Sequence, residues 1–134
     1  MATAQSSSVI IVAEDDANDL FLMQRLVAKA GIKNPLMSFR DGEEVVTFLR
    51  ACTESGYKGI LPRVVFLDIK MPKVDGFEVL RWIRKQSTFK TLPVVILSGS
   101  DEPRDHRRAA ELGANGFLVK HPRPEVFARL IAEY

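Results

Sequence analysis

A chain of 134 residues that is 46% hydrophobic and 27% charged has the size and balance of one compact domain around a single core, which excludes a multidomain machine. Nineteen Lys and Arg against seventeen Asp and Glu leave +2, and the charges are interspersed, without the concentrated basic stripe of a nucleic-acid binder. The single cysteine, Cys52, can close no internal disulfide, no apolar stretch approaches the roughly 18 residues of a membrane span, and the polar start lacks a secretory pattern, so no membrane association and a reducing, cytoplasmic setting are expected.

Residues 1–8 read as a disordered polar tail ahead of one domain over 9–134. The first apolar run, Val9 to Ala13, ends in Glu14, Asp15 and Asp16. Asp16, with Asp19 three residues on, is a helix N-cap; Leu20, Met23, Val27 and Ala30 then share a face until Gly31 offers a left-handed stop. A second run, Leu36 to Phe39, leads to the capping pair Asp41 and Glu44 and to the stripe Val45, Phe48, Leu49, Cys52. Thr53 to Arg63, with two glycines and a proline, reads as an extended loop. The third run, Val64 to Leu67, ends in Asp68, and Asp75 with Glu78 repeats the capping device ahead of Val79, Leu80 and Ile83. The fourth, Val94 to Leu97, ends in Ser98 and Gly99 and is followed by a weaker helix, Arg104 to Leu112, between Pro103 and Gly113. The fifth, Phe117 to Val119, ends in Lys120, and Pro124 opens a last helix whose stripe is Val126, Phe127, Leu130, Ile131 and Tyr134.

Continuous apolar runs mark strands buried on both faces, and their alternation with helices over short connections implies right-handed crossovers. The fold class is therefore α/β, a doubly wound parallel sheet.

In such sheets ligands sit beyond the carboxyl ends of the strands, so the residues ending each run carry the chemistry. In a flavodoxin-like order strands one and three are neighbours, which brings the carboxylates of Glu14, Asp15 and Asp68 together. Such a cluster needs a cation to offset it, and hard oxygens without cysteine or ligand-spaced histidine point to Mg²⁺ or a similar divalent ion. Asp68 can attack phosphorus to give an acyl phosphate when a metal and a cation neutralise the phosphoryl oxygens. Lys120 can be that cation, Ser98 can donate a hydrogen bond to the phosphoryl group, and Gly99 leaves access open. Taken singly, each has a plainer reading as an N-cap acid, a turn hydroxyl or a solvated charge; four strand ends supplying acid, acid, hydroxyl and amine together favour the chemical one.

The segments IIVAEDDANDLFLMQRL, VVFLDIKMPKVDGFEVL, PVVILSGSD and LGANGFLVK, in this order and spacing, resemble the receiver domain of two-component response regulators. The resemblance runs from Val9 over nearly the whole chain and implies a CheY-like, flavodoxin-like sheet of order 2-1-3-4-5 with five helices. It also implies that Asp68 is the phosphoacceptor, Glu14 and Asp15 the acidic pair at Mg²⁺, and Lys70 the residue whose backbone carbonyl completes the metal shell. By the same resemblance Ser98 is the switch hydroxyl, Phe117 the switch aromatic and Lys120 the phosphoryl-binding lysine. The implied function is a single-domain regulator that takes a phosphoryl group from a sensor histidine kinase and signals by protein contact, without turning over a separate substrate.

The loop at Thr53 to Arg63 and the stretch QSTFKTLPVV look like the single-domain regulators paired with bacterial phytochromes, with a generic stand-alone receiver as the equal alternative. For phytochrome-type regulators a homodimer through the face of helix four, strand five and helix five is expected, and the Arg104, Arg107, Arg108 cluster beside it reads as a solvated side or a contact for an acidic partner. One departure stands out. The family usually has proline directly after its lysine, whereas here His121 separates Lys120 from Pro122. Since a cis bond without proline costs roughly 2.5 to 4 kcal/mol, the Lys120–His121 bond is expected to be trans, with His121 facing solvent and the reach of Lys120 altered. Two rivals remain: a phosphorylation-independent pseudo-receiver used for docking, and a small Mg²⁺-dependent phosphatase, for which the general acid two residues after Asp68 is missing because Lys70 stands there.

Overall fold

The five apolar runs form one parallel sheet in a computed structural model that describes residues 8–134. Its strands are β1 (Val9–Ala13), β2 (Leu36–Phe39), β3 (Pro62–Asp68), β4 (Val94–Ser98) and β5 (Gly116–Val119), in the order β2-β1-β3-β4-β5. The tail expected over 1–8 lies, apart from Ser8, outside the described residues. Between the strands run α1 (Ala17–Lys29), α2 (Gly42–Cys52), α3 (Gly76–Lys85), α4 (Pro103–Glu111) and α5 (Pro124–Ala132). Among the described residues no helix is long and apolar enough to cross a membrane.

Successive side chains on a strand point to opposite faces, and this explains why the three central runs are apolar without a break, whereas the edge strands β2, with its exposed Ser38, and β5 are only partly buried. Val9, Ile11 and Ala13 of β1, Val65 and Leu67 of β3, and Val94 and Ile96 of β4 pack with Leu49, Leu80 and Ile83 under α2 and α3. Their neighbours Ile10, Val12, Val64, Phe66, Val95 and Leu97 pack with Met23, Val27, Phe127 and Ile131 under α1 and α5. The Phe66 and Phe127 rings lie 5.3 Å apart, centroid to centroid, joining the central strand to the last helix.

The acidic caps form as the sequence predicts. The side chains of Asp16, Asp41 and Asp75 accept hydrogen bonds from the backbone N–H groups of Asp19, Glu44 and Glu78, each worth about 1 kcal/mol. Three details differ from the sequence reading. β3 begins at Pro62, so the connecting loop is shorter than expected. A single 3-10 turn, Ser87–Phe89, buries Phe89 ahead of β4. Val126 is 39% exposed, because it lies about 100° round α5 from the buried Phe127. The thin apolar side of α4 is as read, with Ala109 its buried residue. Arg84 of α3 fixes the approach to β5 by donating to the Gly113 and Phe89 carbonyls and to Asn115 Oδ1 at 3.0, 3.1 and 2.9 Å.

The start of α3 is pressed against the end of β3. The Gly76 N–H donates to the Ile69 carbonyl at 3.2 Å, and a Cβ at Gly76 would lie 2.4 Å from the Asp68 carbonyl oxygen. That oxygen belongs to the backbone and cannot swing aside. Gly76→Ala is therefore expected to lower stability by about 1–3 kcal/mol, whereas Gly99→Ala, where a Cβ meets nothing within 4 Å, should change it by less than about 0.5 kcal/mol. Urea unfolding midpoints of the two variants check this.

Candidate functional site

Because the strands are parallel, their carboxyl ends open on one edge, and register decides which residues meet there. Ala13 of β1 pairs with Leu67 of β3, so the next residues, Glu14 and Asp68, stand side by side. Ser98 of β4 pairs with Val119 of β5, and the Lys120 N–H extends that ladder by donating to the Ser98 carbonyl at 2.8 Å. The Ile69 N–H donates to the Leu97 carbonyl at 3.1 Å, and the Glu14 N–H to the Phe39 carbonyl at 2.9 Å. All of these functional positions are thus fixed by backbone pairing before any side-chain contact is counted.

They line one cleft of about 780 Å³. Glu14, Asp15, Asp68, Lys70, Ser98, Gly99 and Lys120, each singled out from the sequence, all face it, together with Asp16, Asp19 and, from the start of α4, Glu102, Arg104 and Asp105. Phe117 does not line it. That ring is half-buried and stacks on the His106 ring of α4 with centroids 3.8 Å apart, while His106 Nε2 contacts Asp101 Oδ1 in the turn after β4. Arg108 lies over the Phe77 ring at 4.9 Å.

The charge balance of the cleft rests on Lys120. Its Nζ lies 2.6 Å from Glu14 Oε1, 2.8 Å from Asp68 Oδ2 and 2.9 Å from Asp19 Oδ2. Burial by itself would lower the lysine pKa, but hydrogen bonds to Asp68, Glu14 and Asp19 outweigh it and raise the pKa above the ordinary lysine range. Lys120 therefore stays charged. Glu14 is only 3% exposed, and burial, reinforced by its contact with Asp68, pushes its pKa up to about 7 against the pull of Lys120. Asp19 moves the other way, held below the usual carboxylate range chiefly by its hydrogen bond to Lys120.

Glu14, Asp15 and Asp68 each offer a carboxylate oxygen within 4.8 Å of one another. A set made only of hard oxygens, partly open to the cleft through the exposed Asp15, fits a hard divalent cation. Lys70 sits at the rim: its N–H donates to Asp68 Oδ1 at 3.1 Å, and the residue is exposed. The Ser98 hydroxyl is 6% exposed as a residue and accepts the Ser100 N–H at 3.2 Å.

Two expectations around Lys120 are corrected. The Lys120–His121 peptide bond is cis, not trans, and Lys120 reaches Asp68 fully. The trans expectation weighed the dipeptide alone, whereas here contacts fix the chain on both sides of the bond: the Lys120 N–H on Ser98, its ammonium on three carboxylates, and His121 Nε2 on Asp19 Oδ1 at 3.0 Å. His121 is exposed but engaged, not a free loop residue. Asp19 is the site residue that sequence reasoning missed, because three positions after an N-cap an acid already has a sufficient local explanation. The signal that could have found it is its place in the first turn of α1, the helix that leaves the strand end carrying Glu14 and Asp15.

The model of the response regulator receiver domain matches residues 10–132. Among relatives, the probable methanogenesis regulatory protein FilR2 of Methanothrix harundinacea is 33% identical over 97% of this chain and 83% of its own length. The response regulator Rcp1 of Synechocystis sp. is 34% identical over 84% of this chain and 76% of its own, and a solved structure of Rcp1 is described as a Mn²⁺-bound form, with TM-score 0.74 and 30% identity over 94% of this chain and 90% of that one. The structure of the bacteriophytochrome response regulator RtBRR superposes with TM-score 0.81 and 33% identity over 94% of this chain and 76% of its own. With the sheet order, the clustered strand-end carboxylates and the lysine beside them already in place, this chain belongs to the response regulator receiver domain family.

Proposed function

We propose that the protein is a single-domain response regulator that accepts a phosphoryl group on Asp68 from the phosphohistidine of a sensor kinase. The observation that carries this reading is the position of the Lys120 ammonium, 2.8 Å from Asp68 Oδ2, at the edge of a hard-oxygen cluster. In the transfer an Asp68 carboxylate oxygen forms the new O–P bond, the N–P bond of the donor breaks, and its electron pair returns to the imidazole nitrogen. Asp15, Asp68 and the Lys70 carbonyl, with Glu14 beside them, are the residues that would hold Mg²⁺, which supplies charge neutralisation at the phosphoryl oxygens. Lys120 supplies the second positive charge, Ser98 a hydroxyl for a phosphoryl oxygen, and Gly99 an unobstructed approach. Hydrolysis of the acyl phosphate resets the protein, which acts as a switch with no separate substrate.

The likeness to the bacteriophytochrome response regulator RtBRR supports a phytochrome-type kinase as the donor. Output passes to a partner or to a second copy through the face of α4, β5 and α5, where Val119 and Val126 are 37% and 39% exposed and where the Phe117–His106 stack lies. A two-fold dimer needs one self-complementary patch there.

With acetyl phosphate and Mg²⁺ the protein is expected to form an acid-labile adduct that is lost in excess chelator and in Asp68→Asn. Equal labelling of that variant would refute the assignment of Asp68.

Lys120→Ala should keep its affinity for Mg²⁺ and lose most of the response to the donor, since neutralising charge at a phosphoryl group in a partly buried site is worth a few kcal/mol, about a hundredfold or more in rate. Mg²⁺ titration and adduct formation, measured on the same variant, separate the two effects.

Sedimentation with and without beryllofluoride should show a dimer that tightens when the phosphoryl mimic is bound, and a strict monomer in both states would remove the dimer and leave a heterologous partner.

A further inference from the structure

Lys120 presents three N–H bonds to three carboxylates, and the three are not equivalent. Glu14 and Asp68 belong to the cluster suited to a divalent cation, and Asp68 is also the proposed phosphoryl carrier. Asp19 belongs to neither role. It stands on the first turn of α1, with Oδ2 2.9 Å from Lys120 Nζ and Oδ1 3.0 Å from His121 Nε2, so both of its oxygens are engaged and its orientation is set. The two residues it holds are consecutive in the chain, so one carboxylate ties the whole turn after β5 onto α1. Lys120 has a flexible four-carbon stem that does not aim its own ammonium, and with a side chain only 12% exposed it depends on neighbouring anions for its direction.

We infer that Asp19 and His121 are a positioning pair for Lys120, which keeps its ammonium aimed at the acceptor oxygen when Glu14 and Asp68 turn to a metal ion and a phosphoryl group. The inference rests on the phosphoacceptor reading of Asp68. On this account neither residue touches the transferred group; each acts through the lysine. The lowered pKa of Asp19, caused first by its hydrogen bond to Lys120, agrees with a carboxylate that remains charged while it holds the ammonium. The His121 contact keeps Asp19 from rotating away.

The test is a titration of the full chain with beryllofluoride in excess Mg²⁺, followed by ¹⁹F NMR, which reads the surroundings of each bound fluorine. Wild type should bind and give resolved bound resonances. Asp19→Asn keeps the size and hydrogen-bonding capacity of the side chain and removes its charge. It is expected to need on the order of tenfold more beryllofluoride for half-saturation and to displace the resonance of the fluorine nearest Lys120, with an unchanged unfolding midpoint. Asp19→Glu should recover part of the affinity. An Asp19→Asn spectrum and affinity equal to wild type would overturn the inference, and so would tighter binding, which would make Asp19 a competitor for the lysine. If Asp19→Asn lowers the unfolding midpoint, His121→Ala carries the test with the same outcomes. Failure of wild type to bind, or binding by Asp68→Asn as strong as wild type, would instead remove the phosphoacceptor reading and this inference with it.

Discussion

The cleft depends on one cation. Seven carboxylates, from Glu14, Asp15, Asp16, Asp19, Asp68, Glu102 and Asp105, line it, and Lys120 touches three of them. A buried acidic cluster without a partner is a large electrostatic cost, met by a bound cation, by protonation, or by both. Both responses are at work: the lysine is held charged by the anions around it, and the Glu14 pKa is pushed up because burial and Asp68 outweigh that lysine. A cleft balanced in this way has surplus negative charge for a divalent ion and one firmly held positive charge for an anion. Those are the two needs of phosphoryl chemistry on a carboxylate.

The sheet makes this arrangement precise without spending side chains on it. Backbone pairing sets Glu14 beside Asp68 and Lys120 one step beyond Ser98, and two apolar layers hold the strands from both sides. The loops that leave this edge are then free to carry polar residues. On the β4 side the same edge leads outward through a short series of contacts: Ser98 Oγ accepts the Ser100 N–H, Asp101 holds His106, and His106 stacks on Phe117. The hydroxyl at the cleft and the aromatic on β5 thus share one run of neighbouring groups, although the ring itself does not line the cleft.

The sequence by itself determined the elements, the sheet type and most of the cleft. Strand runs buried on both faces, Asp caps at three helix starts and polar residues at every strand end are local patterns, and Glu14, Asp15, Asp68, Ser98, Gly99 and Lys120 follow from them because parallel strands must end on one edge. Tertiary structure decided what depends on distance between elements. It placed Asp19 of α1 against Lys120 and His121, residues a hundred positions away, where the sequence offered only a first-turn acid. It set the Lys120–His121 bond cis against the local preference, it turned Val126 outward, and it covered Phe117 with His106. The physical reason is the same in each case: periodicity and capping are short-range and legible in a window of a few residues, whereas the balance of one ammonium among carboxylates from three elements exists only after the chain has brought them together.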